Sequence, residues 1–349
     1  MATQAATPAP TAGGKNVGEN LLAKVKRFRE IENIQHESVP NVAATLDKIA
    51  RFLQEHETPT VNDATHSVFD KFPDWWQSHN RSTFMLAIAE DSTLDLLYEY
   101  IATLYNLNIP LTLTETRTPQ IRFIQDIKVW GSEDTCLTAA DLLGPDNAFA
   151  KLLGSIMGEV FPNSEFLDAA VFDSSGMMRT RGIMKTSIRV VWSSIIVDME
   201  RSARIRDYTI YKFKESQDEA ILALAEKVQG ETQDNPWTSI FDDSVYASRH
   251  GVRMPLNDRS SPAPLKKPER RPFKPHGVLR FNYSQGKLEN IEHIAQEKDL
   301  DGRDWLKLGC IRRDTGTPLT EWVAPVWRGA PQRPGGQGNR GGGGGGGGG

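Results

Sequence analysis

The sequence predicts an α+β protein: a mixed β-sheet with flanking helices, a helical N-terminal region before it, and disordered ends. Three observations carry this expectation. Apolar residues recur at helical spacing as far as Leu104, alternate or cluster as β-branched runs from Leu111 onward, and almost vanish at both ends of the chain.

Residues 1–19 are mostly Ala, Thr, Pro and Gly and cannot offset the entropy of ordering, so a disordered tail is expected there. Helical stripes come next at Leu21, Val25, Phe28 and Ile31, and at Val42, Leu46, Ile49 and Leu53 with Asn41 as N-cap. A third stripe, Leu94, Leu97, Tyr98, Ile101 and Leu104, starts at Asp91-Ser92 and ends at Asn108-Ile109-Pro110. Together they define a helical region at residues 20–110, in which Trp75-Trp76 reads either as a stacking surface for bases or as core closure.

Strands are expected at residues 111–114, 121–130, 186–192 and 195–197. Helices lie between them, around residues 146–159 and from Ser216-Gln217-Asp218-Glu219, a capping box ahead of Ile221, Leu222, Leu224 and Val228. Residues 260–275 read as an extended Pro-rich loop, and residues 284–328 as a C-terminal extension. Residues 329–349 end in an unbroken glycine tract, expected to be flexible, where Arg340-Gly341-Gly342 reads as a single RNA-binding box or as passive tail.

Composition narrows the function classes. A chain of 349 residues, 38% hydrophobic and 25% charged, suits one or two soluble domains. A net charge of −4 gives no global attraction to a polyanion, so nucleic-acid contact requires a local basic patch. Arg249, Arg253, Arg259, Lys266, Lys267, Arg270, Arg271, Lys274 and Arg280, set against Asp258 and Glu269, form one, which reads equally as a solvated basic loop. Cys136 and Cys310 lack metal-type spacing and point to reduced thiols. No apolar run approaches the roughly 20 residues that span a bilayer, and residues 1–14 carry neither a signal core nor transit-peptide arginines; a nuclear or cytoplasmic protein without membrane contact is expected. Phosphate-loop, nucleophile-elbow and His-Glu-x-x-His motifs are all missing, and the seven histidines are scattered.

Three short segments remain. Asp126-Ile127-Lys128 and Ser187-Ile188-Arg189 each place two polar side chains on one strand face, roughly 6.5 Å apart. The third runs from Phe241-Asp242-Asp243 through Val245-Tyr246 to Arg253-Met254-Pro255. In order and separation, with Lys185-Thr186 before the second and Ile196-Val197-Asp198, Arg201 and Arg206-Asp207-Tyr208 after it, they resemble the active-site motifs of the archaeo-eukaryotic primase superfamily, primase-polymerase branch. The resemblance covers residues 111–283 and implies an RRM-like palm that joins nucleotides on a DNA or RNA template, with replication proteins as partners.

On that resemblance Asp126 and Asp242 are the catalytic carboxylates that hold Mg²⁺ or Mn²⁺, and Lys185, Ser187, Arg189 and Arg253 bind the nucleoside triphosphate. Arg249, Lys266, Lys267, Arg270 and Arg271 contact nucleic acid, and Asp243 caps the adjoining turn. Two positions depart from the family pattern: Lys128 stands where a second carboxylate belongs, and Arg189 where a histidine belongs. A cation at 128 opposes a second metal and offers Asp126 a partner, while Arg189 can fork onto phosphate or form a salt bridge with Asp126 or Asp242. Three readings therefore stand side by side: a nucleotidyltransferase, a catalytically inactive relative that binds nucleic acid or a replication partner, and an unrelated α+β protein. An alternative first motif at Asp168 and Asp173 also stays open, although Asp173-Ser174-Ser175-Gly176 reads as a turn.

Overall fold

The computed structural model describes residues 42–69, 83–109, 111–131, 137–178, 182–229, 235–247, 251–259, 271–312 and 316–330. The expected tail at 1–19, residues 331–349 of the tail expected at 329–349, the Leu21 to Ile31 stripe, the Asn41 cap and Trp75-Trp76 lie outside the described residues.

The larger sheet has strand order β11-β10-β6-β8-β5, with β5 Ile121–Gly131, β6 Phe166–Asp173, β8 Ile183–Val197, β10 Lys274–Ser284 and β11 Lys287–Gln296. A short β7, Gly176–Met178, pairs with β8 off this path. Pairing is antiparallel throughout, which corrects the mixed sheet the sequence suggested. The reason is a split crossover. Helices α3 (Ala139–Leu143) and α4 (Ala148–Val160) link β5 to β6, which run the same way, but β8 inserts between them and pairs antiparallel with both.

Both faces of this sheet are covered, so β5 and β8 are buried along nearly their whole length. On one face lie α4 and α5 (Met199–Glu215), with α6 (Glu219–Gln229) and α7 (Trp237–Ile240) beside them. Asp198 caps α5 by accepting from the Arg201 amide, and Asp218 caps α6 by accepting from Ala220 and Ile221. The core there is aromatic: Phe213 lies 4.8 Å from Phe149 and Trp237 and 5.0 Å from Phe241. Gly154 lets α4 approach β10 closely, since a methyl group there would meet Phe281 at 2.4 Å.

The opposite face packs against α9 (Gly302–Gly309), where Trp305 meets Phe172 edge-on at 5.9 Å. Arg122 of β5 ties this helix end down by donating to the Leu308 and Cys310 carbonyls at 3.1 and 3.0 Å. Beyond α9 stands a second antiparallel sheet, ordered β1-β3-β2-β4-β9 and built from Glu57–Thr58, Thr83–Leu86, His66–Phe69, Leu113–Glu115 and Val252–Arg253. With α1 (Val42–Glu55) and α2 (Asp91–Asn106) it encloses a core containing Leu53, Leu86, Leu97, Ile101, Leu113, Met254 and Leu306.

Among its described residues, region 20–110 thus holds three strands besides its helices, and β4 and β9 tie those strands to the remainder of the chain. The 284–328 extension is equally continuous with the rest, because β11 completes the main sheet and α9 contributes to both cores. The final segment crosses α5, with Arg201 stacked on Trp322 and Arg204 on Trp327 at 5.2 Å each.

Candidate functional site: a cationic pocket between the two sheets

Register decides the site. In the β5–β8 pairing Asp126 stands opposite Arg189, Lys128 opposite Ser187 and Trp130 opposite Lys185, so all six side chains share one sheet face. That face looks toward β4 and β9, and between them lies a pocket of about 250 Å³. Its walls include Asp126, Lys128, Lys185, Ser187, Arg189, Ser244, Arg253, Asp258, Arg259, Arg271 and Phe273.

The third sequence segment closes the pocket's edge. Phe241 forms a single bridge with Ile127 and the Asp242 amide donates to the Asp126 carbonyl at 3.0 Å, after which Ser244–Ala247 makes one helical turn, α8. Tyr246 pins this turn to β5: it is buried, and its hydroxyl donates to the Ile124 carbonyl at 2.5 Å. Burial, with Asp126 nearby, pushes the Tyr246 hydroxyl well above its ordinary pKa and keeps it a donor. Arg206 of α5 holds the preceding loop by donating to Phe241 and Thr238 carbonyls. Arg117, from the loop after β4, donates to the Tyr246 carbonyl.

The expected metal ligands are engaged otherwise. Arg189 forks onto Asp126, Nε to Oδ1 at 2.7 Å and Nη2 to Oδ2 at 2.9 Å, with both side chains 5% exposed. Burial alone would raise the Asp126 carboxyl, but the Arg189 charge and hydrogen bonds, with Lys128 and Arg253 behind them, hold it below the usual carboxylate range. Asp242 accepts from the Ser244 amide at 3.1 Å, an Asx turn, and its other oxygen meets the Lys128 ammonium and the Ser244 hydroxyl. Asp242 rather than Asp243 therefore caps the turn, and Lys128 pairs with Asp242 rather than Asp126.

This donor set does not fit a divalent cation. Each carboxylate is neutralised by a cation in contact, and Lys128 and Arg189 would repel a metal placed between them. Among the described residues no group of three or more His, Cys, Asp or Glu side chains is clustered for a metal.

What the pocket does offer is positive charge. Five cationic side chains and Lys185 line it, against Asp126, Asp258 and the adjacent Asp242. Arg253 stacks on Phe273 at 3.7 Å and donates to the Arg271 carbonyl at 2.9 Å and the Ser174 hydroxyl at 3.0 Å, while Arg189 lies 4.6 Å over the same ring. Burial and the neighbouring Arg189 and Arg271 charges work against the Arg253 cation. A guanidinium nonetheless keeps its proton near neutral pH, so this part of the pocket stays positively charged. Lys185, packed 4.5 Å over the Trp130 ring, is pushed down to about 6 by burial and by Lys128, Arg259 and Arg271.

Of the residues expected to contact nucleic acid, Arg271 lines this pocket, whereas Arg249, Lys266, Lys267 and Arg270 lie outside the described residues. Arg259 and Phe273 line the pocket, and Trp130 packs against Lys185, without being assigned to the site by the resemblance, although Arg259 belongs to the basic patch and immediately precedes the Pro-rich segment. The alternative motif is structural. Asp168 forks onto Arg280 across β6 and β10 at 2.8 and 2.9 Å, and Asp173 accepts from Ala139 and Ser175 amides in the expected turn.

No helix among the described residues is long and apolar enough to cross a membrane. No model of a known protein family matches the chain, and no curated protein is significantly similar to it in sequence.

Proposed function

We propose that this chain is a primase-polymerase-like domain that binds the triphosphate of a nucleotide in the pocket between its sheets and engages nucleic acid nearby, without a metal-carboxylate centre. One observation carries the reading: a pocket with five cationic side chains beside Lys185 whose expected metal-binding carboxylates are already ion-paired. Such a pocket favours a polyanion over a divalent cation. The gathering of Asp126, Arg189 and the Asp242 turn around one pocket is what the family resemblance requires, and so supports shared descent.

Binding is then a matter of charge and shape. Arg259, Lys128 and Arg271 supply donors to phosphate oxygens, Arg189 and Arg253 fix the positive potential behind them, and Phe273 holds both guanidinium planes. The basic segment around residues 249–271 would carry the contacts to a DNA or RNA strand, consistent with a chain of net charge −4 that has no general affinity for polyanions. A nuclear or cytoplasmic setting with replication proteins as partners belongs to the same proposal.

Two assays on the full chain test it. A fluorescent ATP analogue should bind in the presence of a chelator, weaken about tenfold or more in Arg259→Met, and weaken with added salt. Primer extension should show no chelator-sensitive incorporation. Robust incorporation abolished by Asp126→Ala or Asp242→Ala would instead establish the nucleotidyltransferase reading, and absence of any phosphate-dependent binding would overturn both.

A further inference from the structure

We propose that Lys185 is a nucleophilic amine site, which condenses with the carbonyl group of a small phosphorylated aldehyde or ketone whose phosphate the surrounding cations seat. The placement is unlike that of an ordinary structural lysine. Lys185 is 6% exposed and stands opposite Trp130 in the strand register, with its amine over the indole face, yet it lines the pocket. Among the described residues no carboxylate pairs with that amine and no acceptor takes a hydrogen bond from it. Lys128 faces it from β5, Arg259 from just before the Pro-rich stretch and Arg271 from within it. The pocket's carboxylates are Asp126, engaged by Arg189, and Asp258.

A proton on Lys185 therefore meets burial and three like charges with one distant carboxylate in its favour, which is why its pKa falls to about 6. At neutral pH the lone pair is free. The chemistry balances without an oxidant or metal: nitrogen attacks the carbonyl carbon, a C–N bond forms as the oxygen takes up a proton, and loss of water leaves an imine. Lys128, Arg259 and Arg271 hold the phosphate. This inference uses the pocket's charge and Lys185 alone and does not depend on a nucleotide being the natural occupant.

The test is to incubate the full chain with pyridoxal 5′-phosphate between pH 5 and 9, trap adducts with borohydride, and map the labelled peptide. The expected result is one equivalent on Lys185, with a rate half-maximal near pH 6. Pyridoxal without the phosphate should react about tenfold or more slowly, and Lys185→Arg should lose the adduct. If that variant fails to fold, the map and pH profile of the unaltered chain decide alone. Label spread over other lysines, Lys185 reacting only above pH 9, or equal reactivity toward the two aldehydes would each overturn the proposal.

Discussion

Replacing Asp126 by alanine separates a structural ion pair from a metal ligand. In this protein the change strips both carboxylate oxygens from a guanidinium that is as buried as its partner, and leaves Arg189 with the Arg253 carbonyl and the Phe273 ring. Breaking one side of such a pair costs about 3–5 kcal/mol, because the remaining charge stays desolvated. Replacing both partners with apolar groups of similar size is close to neutral. The assay is urea unfolding of the unaltered chain, Asp126→Leu, Arg189→Met and the Asp126→Leu/Arg189→Met double variant, with Asp126→Ala alongside, monitored by fluorescence and circular dichroism. The double variant should recover most of the loss, giving a coupling of at least about 2 kcal/mol. The pH dependence has a definite sign. The depressed Asp126 carboxyl stabilises the fold above its unfolded value of about 3.9, and that stability is lost as pH falls through the lower folded value, so the deficit of Asp126→Ala should shrink in acid. If Asp126→Ala is neutral or stabilising at pH 7, as expected for a carboxylate held in place for a metal, the ion-pair account is wrong.

Three further outcomes can be checked. Asp242→Ala should destabilise the 244–247 turn by about 1 kcal/mol, the worth of a cap, while raising ATP affinity because the pocket loses an adjacent negative charge; a loss of affinity would restore the metal-ligand role. Tyr246→Phe should cost about 1 kcal/mol in urea unfolding through one buried hydrogen bond, and a change within experimental error would remove the pin between the turn and β5. For Lys185 the unfolded chain binds a proton that the folded one rejects between about pH 6 and about 10.4, so stability should rise with pH across that window. Phosphate binding should draw the proton back and tighten as pH falls from 8 to 6.5. Lys185→Met should weaken both trends, leaving the same-sign contribution of Lys128, which burial also holds below its ordinary value, measured by unfolding and by titration with inorganic tripolyphosphate.

Long periodic elements were legible in the sequence. The stripe beginning at Val42 is helix α1, and residues 121–130 are β5 within one residue. The segments 186–192 and 195–197 looked like two strands because Ser193-Ser194 interrupts the apolar run, yet they form one, with the irregularity in pairing absorbed between Trp192 and Ile196. The β10–β11 hairpin was hidden for two reasons. β10 begins inside the Pro-rich stretch, and β11 is an edge strand with a mostly polar, exposed pattern; its signal was the two-residue turn Gln285-Gly286, both at positive φ. The context around the second motif turned out to be scaffolding: Asp198 is a helix cap and Arg206 a tie to the 238–241 carbonyls.

The site was legible as a set of residues and not as a set of bonds. Asp126, Arg189, Lys185 and Arg253 are assigned by the resemblance, and all line one pocket. Which partner each would take depends on cross-strand register and on the Asx turn at Asp242, neither of which a single sequence fixes. The departures at Lys128 and Arg189 carried the decisive information, since those two side chains occupy the carboxylates that a metal would need.

The most direct test of the central claim is a crystal structure of the full chain grown with ATP and Mn²⁺ and recorded at the manganese absorption edge. The account expects triphosphate density against Arg259, Arg271 and Lys128, the Arg189–Asp126 fork intact, and no anomalous peak between Asp126 and Asp242. A manganese peak ligated by both carboxylates, with Arg189 and Lys128 swung away, would contradict it.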